Sequence, residues 1–118
     1  MNYPTNITIK SYPYKIEYVE TSREVDTDFE SGHWLGQCVG ETIRVLADQK
    51  PIGILDTLIH EVLHAVFNRN RMLREVVKSK NMEESFIDTL ATELTILLIE
   101  NGWIKQMEEG PPITKRII

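Results

Sequence analysis

One run of apolar residues at helical spacing constrains this chain more than any other feature of its 118 residues. Between Ile52 and Phe67, apolar side chains recur at intervals of three and four residues. This spacing places them on one face of a helix, and Pro51 suits the first turn of such a helix. The sequence therefore predicts an amphipathic helix that begins near Pro51 and buries one face.

Two histidines lie four residues apart within this predicted helix, in the motif His60-Glu61-Val62-Leu63-His64. Four residues advance a helix by about 400°, so His60 and His64 project from the same face and both imidazoles can reach one metal ion. Glu61 lies about 100° around the helix, where its carboxylate can reach a water on the metal rather than the metal itself. The motif therefore favours metal-assisted hydrolysis.

The charge and composition of the chain argue against several other functions. Eighteen acidic and thirteen basic side chains give a net charge of -5, the wrong sign for binding the phosphate backbone of a nucleic acid. No apolar run approaches the roughly 20 residues that cross a membrane, and the N-terminal residues lack the pattern of a secretory signal. Cys38 has no second cysteine to pair with, which fits a reducing compartment. We therefore expect one cytoplasmic domain over residues 1–118.

Alternation of apolar and polar residues predicts a small sheet beside the helix. Residues 7–10 and 15–20 alternate on either side of a connection at 11–13, which predicts two strands and favours a hairpin. Residues 41–46 alternate again and predict a further strand, whereas residues 21–36 are acidic, turn-rich and predicted to form a loop. The expected fold class is α+β, with a small mixed or antiparallel sheet packed on the helix.

A second helix is predicted towards the end of the chain. A polar, partly basic and partly helical connection covers residues 68–81, and Asn81 followed by Glu84 resembles a capping box. Apolar residues then recur at helical spacing over 86–98, and Gly102 is typical of the residue that ends a helix.

A catalytic zinc site usually has three protein ligands and one open position, so a third ligand must come from outside the first motif. The second helix offers Glu84, twenty residues after His64, with Asp88 about 40° around the helix from it. Both residues would border the interface between the two helices, where a shared site could form. Glu83 is a rival ligand, and a capping role for Glu84 at Asn81 is the alternative.

The two motifs together resemble the gluzincins, a family of zinc metallopeptidases, over about residues 41–100. Gluzincins carry HExxH on one helix and a glutamate ligand on the next, with an aspartate four residues later, a pattern that Glu84 and Asp88 match. The small size resembles the minigluzincins and the short metallopeptidase-like proteins of phages, with SprT-like peptidases as more distant relatives. The resemblance implies a zincin-like domain in which the second helix carries the glutamate ligand.

By this resemblance His60, His64 and Glu84 bind Zn²⁺, and Asp88 orients the imidazole of His60. The implied function is hydrolysis of a peptide or protein substrate by a zinc-dependent metallopeptidase. Glu61 would act as the general base, taking a proton from water and returning it to the leaving amine. We expect an extended substrate to pair with the strand at 41–46.

Gluzincins commonly add a tyrosine or histidine after the third ligand to stabilise the oxyanion, and this chain has neither after His64. The upstream candidates for that role are His33, Tyr12, Tyr14 and Tyr18, with Arg69 and Arg71 as basic substitutes. The alternative function is therefore a catalytically weak or inactive binding or accessory protein of phage type that keeps a structural zinc. A further version is a latent peptidase whose extended tail after Gly110 lies in the cleft.

Overall fold

A computed structural model of the protein describes residues 3–20 and 35–102. The described chain is α+β with a small mixed sheet, which confirms the fold class predicted from the sequence. The sheet has four strands in the order β1-β2-β4-β3. The strands are β1 (Asn6–Ile9), β2 (Tyr12–Val19), β3 (Gly36–Val39) and β4 (Thr42–Leu46). The helices are α1 (Pro51–Arg69), α2 (Arg71–Val76) and α3 (Lys80–Glu100). Residues 21–34 of the loop predicted over 21–36, and the tail predicted after Gly110, lie outside the described residues.

The first two strands form the expected hairpin, but its turn is tighter than the sequence indicated. Lys10 and Ser11 take positive φ angles of 54° and 73°, and Ile9 pairs with Tyr12 across them. Such a two-residue turn matches the twist of the strands it joins. Tyr12 and Pro13, predicted as part of the connection, therefore belong to β2.

The predicted strand at 41–46 forms as β4, but its place in the sheet differs from the expectation. It pairs in parallel with β2 and antiparallel with β3, so both of its hydrogen-bonding sides are occupied. The prediction that an extended substrate would pair with this strand is therefore wrong. The missing partner is β3, whose first residue, Gly36, was predicted as loop because a four-residue strand that starts with glycine lacks an alternating pattern.

The core lies between one face of the sheet and α1. Successive residues of a strand point to opposite faces, so alternate side chains of the central strands face the helix. The buried residues of this layer are Ile9, Tyr14, Ile16, Tyr18, Ile43 and Val45 from the sheet and Ile54, Leu58 and Ala65 from α1. Helix α1 begins at Pro51 and keeps the predicted apolar face, which confirms the strongest sequence prediction.

The third helix packs on α1 and is capped differently from the prediction. Ser79 is the N-cap, and its Oγ accepts a hydrogen bond from the backbone N–H of Met82 at 3.0 Å. The predicted capping box of Asn81 and Glu84 is therefore wrong, since a serine two residues earlier takes the role. Glu84 lies inside the helix.

Among the described residues, no helix combines the length and the apolar character that a membrane span requires.

The attachment of α3 depends on a narrow stripe of buried side chains, of which Ile87 is fully buried. We expect Ile87→Ala to lower the free energy of unfolding by about 2–4 kcal/mol, because it removes buried carbon and leaves a cavity. Ile96→Ala is the matched control on the same helix, since Ile96 is 39% exposed, and should cost less than about 1 kcal/mol. Urea unfolding of both variants provides the comparison, and equal losses would contradict this account of how α3 is held.

Candidate metal centre

The site lies where α1 and α3 run antiparallel, and it is built from polar contacts that recur every four residues on both helices. These contacts are His64 Nε2 to Glu84 Oε1 at 2.6 Å, His60 Nδ1 to Asp88 Oδ1 at 2.9 Å, and Thr92 Oγ1 to Asp56 Oδ1 at 3.4 Å. Residues four apart lie on one helix face, so three successive turns of α1 meet three successive turns of α3. This register brings the acidic residues of the second helix to the histidines of the first.

His60, His64 and Glu84 form the group that could hold a metal ion. The Nε2 atoms of the two histidines face one another at 3.1 Å, and Glu84 Oε2 lies 3.6 Å from His60 Nε2. Ligand atoms about 2.0–2.1 Å from a tetrahedral ion stand about 3.3 Å apart, so these separations suit one shared ion. Two imidazoles and a carboxylate suit several divalent transition metals and do not by themselves select zinc.

Asp88 fixes the orientation of one imidazole. Its carboxylate faces Nδ1 of His60, the nitrogen on the far side of the ring from Glu84. An imidazole whose Nδ1 carries the proton towards a carboxylate presents the lone pair of Nε2 to the opposite side. The contact therefore directs Nε2 of His60 towards the space shared with His64 and Glu84.

The two glutamates of the site occupy different environments. Glu61 is 7% exposed and lies against the sheet, whereas the side chain of Glu84 is 46% exposed. Burial, together with the nearby charges of Glu84 and Asp88, raises the pKa of Glu61 to about 8. Its Oε2 lies 4.0 Å from Nε2 of His60, beside the ligand group rather than within it.

Burial also lowers the pKa of His64, an effect that the neighbouring Glu84 partly offsets. A lowered pKa keeps the imidazole neutral, the form that can donate a lone pair to a metal. Glu83, the rival ligand, lies next to Glu84 on α3 and is half-buried. Its charge acts on His64, but its carboxylate is not part of the group that could hold an ion.

The structure places the tyrosines considered for oxyanion stabilisation in other contacts. The buried Tyr18 donates a hydrogen bond from its hydroxyl to the carbonyl of Pro4 at 2.7 Å. The hydroxyl of Tyr14 accepts from Nε of Arg69 at 2.9 Å, and the ring of Tyr12 stacks on the same guanidinium at 3.6 Å. Tyr12, Tyr14 and Arg69 thus tie the end of α1 to the hairpin.

Of the two remaining oxyanion candidates, Arg71 and His33, only Arg71 belongs to the described residues. Arg71 pairs with Glu75 on the exposed face of α2 at 3.1 Å, and His33 lies outside the described residues.

Two neighbours of Glu61 were missed by the sequence analysis. They are Gly36, at the start of β3, and Thr57, one helical turn before Glu61. Both lie beside the side chain of Glu61. Thr57 could have been found, since a residue four positions earlier shares the helix face of Glu61. Gly36 could not, because only the pairing of β3 with β4 brings it over α1.

No protein-family model, curated protein sequence or solved structure matches this chain.

Proposed function

We propose that this protein is a zinc-dependent metallopeptidase with a zincin-like fold. The observation that carries the proposal is the convergence of His60, His64 and Glu84 from two helices, with Asp88 behind one imidazole and Glu61 beside the group. Two histidines and a glutamate are a known ligand set of catalytic zinc and leave a fourth position for water or substrate. HExxH on a helix with an acidic ligand from the next helix is the arrangement that the gluzincin resemblance implies.

The donor set fits zinc in charge as well as in geometry. His60, His64 and Glu84 supply two neutral nitrogens and one anionic oxygen, while the carboxyl groups of Asp88 and Glu61 lie close by. A divalent cation would compensate this accumulation of acidic groups. When bound, zinc supplies Lewis-acid chemistry, polarising a water molecule and the carbonyl of the peptide bond.

Glu61 is the residue that moves the proton. Its carboxylate accepts a proton from the water whose oxygen forms a bond to the carbonyl carbon. The same carboxyl group then donates this proton to the amide nitrogen as the carbon–nitrogen bond breaks. Burial brings the pKa of Glu61 closer to neutral pH than that of an exposed carboxyl group, which suits a group that accepts a proton and later returns it. A divalent cation bound beside Glu61 would favour the ionised form that accepts the proton.

The substrate would bind along β3 rather than β4. The backbone N–H of Leu46 donates to the carbonyl of Leu35 at 2.8 Å, so these residues form a hydrogen-bonded pair of the antiparallel ladder. Hydrogen-bonded and non-hydrogen-bonded pairs alternate along the two strands, so Gly36 and Cys38 fall in non-hydrogen-bonded pairs. Their backbone N–H and C=O groups therefore point away from β4. In the described part of the sheet β3 is an edge strand, so an extended peptide could add to it beside Glu61.

A second candidate is a metal-holding binding or accessory protein with little or no hydrolytic activity. The engagement of Tyr14 and Tyr18 in other hydrogen bonds favours it, since both were candidates for stabilising the oxyanion. The two candidates share the metal site and differ in turnover.

The first test is zinc content, measured by elemental analysis on protein purified without added metal. We expect one zinc per chain. In Glu84→Ala the affinity for zinc should fall by more than about 100-fold, because loss of a residue that only supports a ligand typically lowers metal affinity by about 10–100-fold. Glu83→Ala is the matched control, because it removes the same charge from the neighbouring position and should keep the zinc. Loss of zinc in Glu83→Ala alone would make Glu83 the ligand, and no zinc in the wild type after supplementation would refute the proposal.

The second test separates the two candidates through the proton carrier. Glu61→Gln keeps the shape of the side chain and removes its basicity, so hydrolysis of a fluorescent casein should fall by about 10²–10⁴-fold while zinc stays bound. The assay compares turnover and zinc content in the same preparations. Turnover in the wild type that Glu61→Gln leaves unchanged would contradict the role of Glu61, and no turnover in a zinc-loaded wild type would favour the binding protein.

A third test uses the pH dependence of stability of the metal-free protein. The unfolded chain releases the proton of Glu61 near pH 4.5, whereas the folded protein holds it to about pH 8. The free energy of unfolding therefore contains a contribution that is complete below pH 4.5 and is lost as the pH rises to 8. Glu61→Gln should remove this loss and raise the melting temperature more at pH 8 than at pH 5.

The control for this experiment is Glu93→Gln, which alters an exposed glutamate of α3. It should change the melting temperature equally little at both pH values. An equal effect of Glu61→Gln at pH 5 and pH 8 would contradict the burial of an ionisable carboxyl group at this position.

A further inference from the structure

Gly36 lies where β3 crosses the side chain of Glu61. A Cβ built at position 36 would stand 2.6 Å from Cγ2 of Thr57, 3.0 Å from Cγ of Glu61 and 3.1 Å from its Oε2. The first distance is shorter than non-bonded carbon atoms tolerate. Gly36 is not among the glycines with positive φ, so the backbone conformation does not require glycine here. Glycine is required because there is no room for a side chain between the strand and the side chains of Thr57 and Glu61.

Thr57 cannot easily yield that space. Its Oγ1 donates a hydrogen bond to Oε1 of Gln49 at 3.1 Å, and Nε2 of Gln49 donates to the carbonyl of Leu46 at 2.7 Å. Rotation of Thr57 to move its methyl group would break the first of these bonds in a buried position. The end of β4 thus holds Thr57 in the rotamer that directs Cγ2 at Gly36.

We propose that Gly36 is a positioning residue for Glu61. The missing side chain lets the backbone of β3 close over the carboxylate arm, which keeps Glu61 beside the ligand group and excludes water from its sheet side. A methyl group at position 36 would displace the carboxylate and leave the three ligands, which lie towards α3, where they are. This inference rests on the proposed function, in which Glu61 carries the proton.

The experiment compares Gly36→Ala, Thr57→Ser and the double variant Gly36→Ala/Thr57→Ser with Glu61→Gln and the wild type. Thr57→Ser keeps the hydroxyl that binds Gln49 and removes the methyl group at 2.6 Å. We therefore expect the double variant to fold even if Gly36→Ala does not. Its new Cβ still presses on Glu61 at 3.0 and 3.1 Å. Val76→Ala on α2 is the control, since Val76 is exposed and lies outside the strand along which the substrate would bind.

Three quantities are measured for each protein: zinc per chain, kcat and KM for fluorescent casein, and the affinity of acetohydroxamate for the zinc-loaded protein. Acetohydroxamate chelates zinc and hydrogen-bonds to a neighbouring carboxylate, so its affinity reports the position of Glu61 without turnover. We expect the double variant to keep one zinc per chain. Its kcat should fall about 10–100-fold with little change in KM, as for a misplaced reacting group. Its acetohydroxamate affinity should fall as far as in Glu61→Gln.

The outcomes separate this inference from the function on which it rests. A double variant with the kcat and acetohydroxamate affinity of Thr57→Ser would overturn the positioning role while leaving the zinc site intact. A double variant that loses zinc would overturn it as well, since the ligands would then depend on Gly36. Absence of zinc from the wild type would refute the proposed function and this inference together. If the wild type binds zinc but cleaves no casein, the acetohydroxamate affinities alone show whether Gly36 positions Glu61.

Discussion

The packing of α3 against α1 is the contact on which the candidate site depends. The two helices meet in a register that sets His64 against Glu84 and His60 against Asp88. A slip of one helical turn, about 5.4 Å, would leave Glu84 opposite His60 and bring Lys80 opposite His64. Ile87 and Ala91 of α3 are fully buried, so the packing of apolar residues holds the polar contacts in register.

The site also illustrates how environment separates two identical side chains. Glu84 reaches the histidines from the solvent side of α3, where an ionised carboxylate is well hydrated. Glu61 lies against the sheet, where burial and two neighbouring acids raise its pKa. One glutamate is therefore suited to bind a cation and the other to exchange a proton. The sheet creates this difference, since α1 alone would leave Glu61 exposed to water.

The end of α1 is anchored by contacts that take residues away from the site. Arg69 donates to the hydroxyl of Tyr14 and stacks on the ring of Tyr12, which joins the helix to the hairpin. An arginine between two aromatic rings gains from both cation–π attraction and the hydrogen bond. These residues hold α1 on the sheet, and through α1 they hold the two histidines in place.

Much of the site was readable in the sequence because it depends on local periodicity. The spacing of His60, Glu61 and His64 and the spacing of Glu84 and Asp88 assign each group to one helix face, whatever surrounds the helix. Helix α1 and the α+β class followed from similar patterns. The position of Glu84 and Asp88 beside an apolar stripe indicated that they would border the interface between the helices. The spacing within either helix contains no information about the distance between the two helices.

The order of the strands and the surroundings of Glu61 were decided only by tertiary structure. The alternating pattern of β4 is equally typical of an edge strand and of an internal strand. Only the pairing of β4 with both β2 and β3 shows that it is internal. Gly36 appeared as a turn residue in an acidic segment, yet it lies over Glu61 with no room for a side chain. Local sequence determines which way a side chain points along its own element. What it meets there depends on chain segments far away in sequence, whose positions are set by packing and strand pairing.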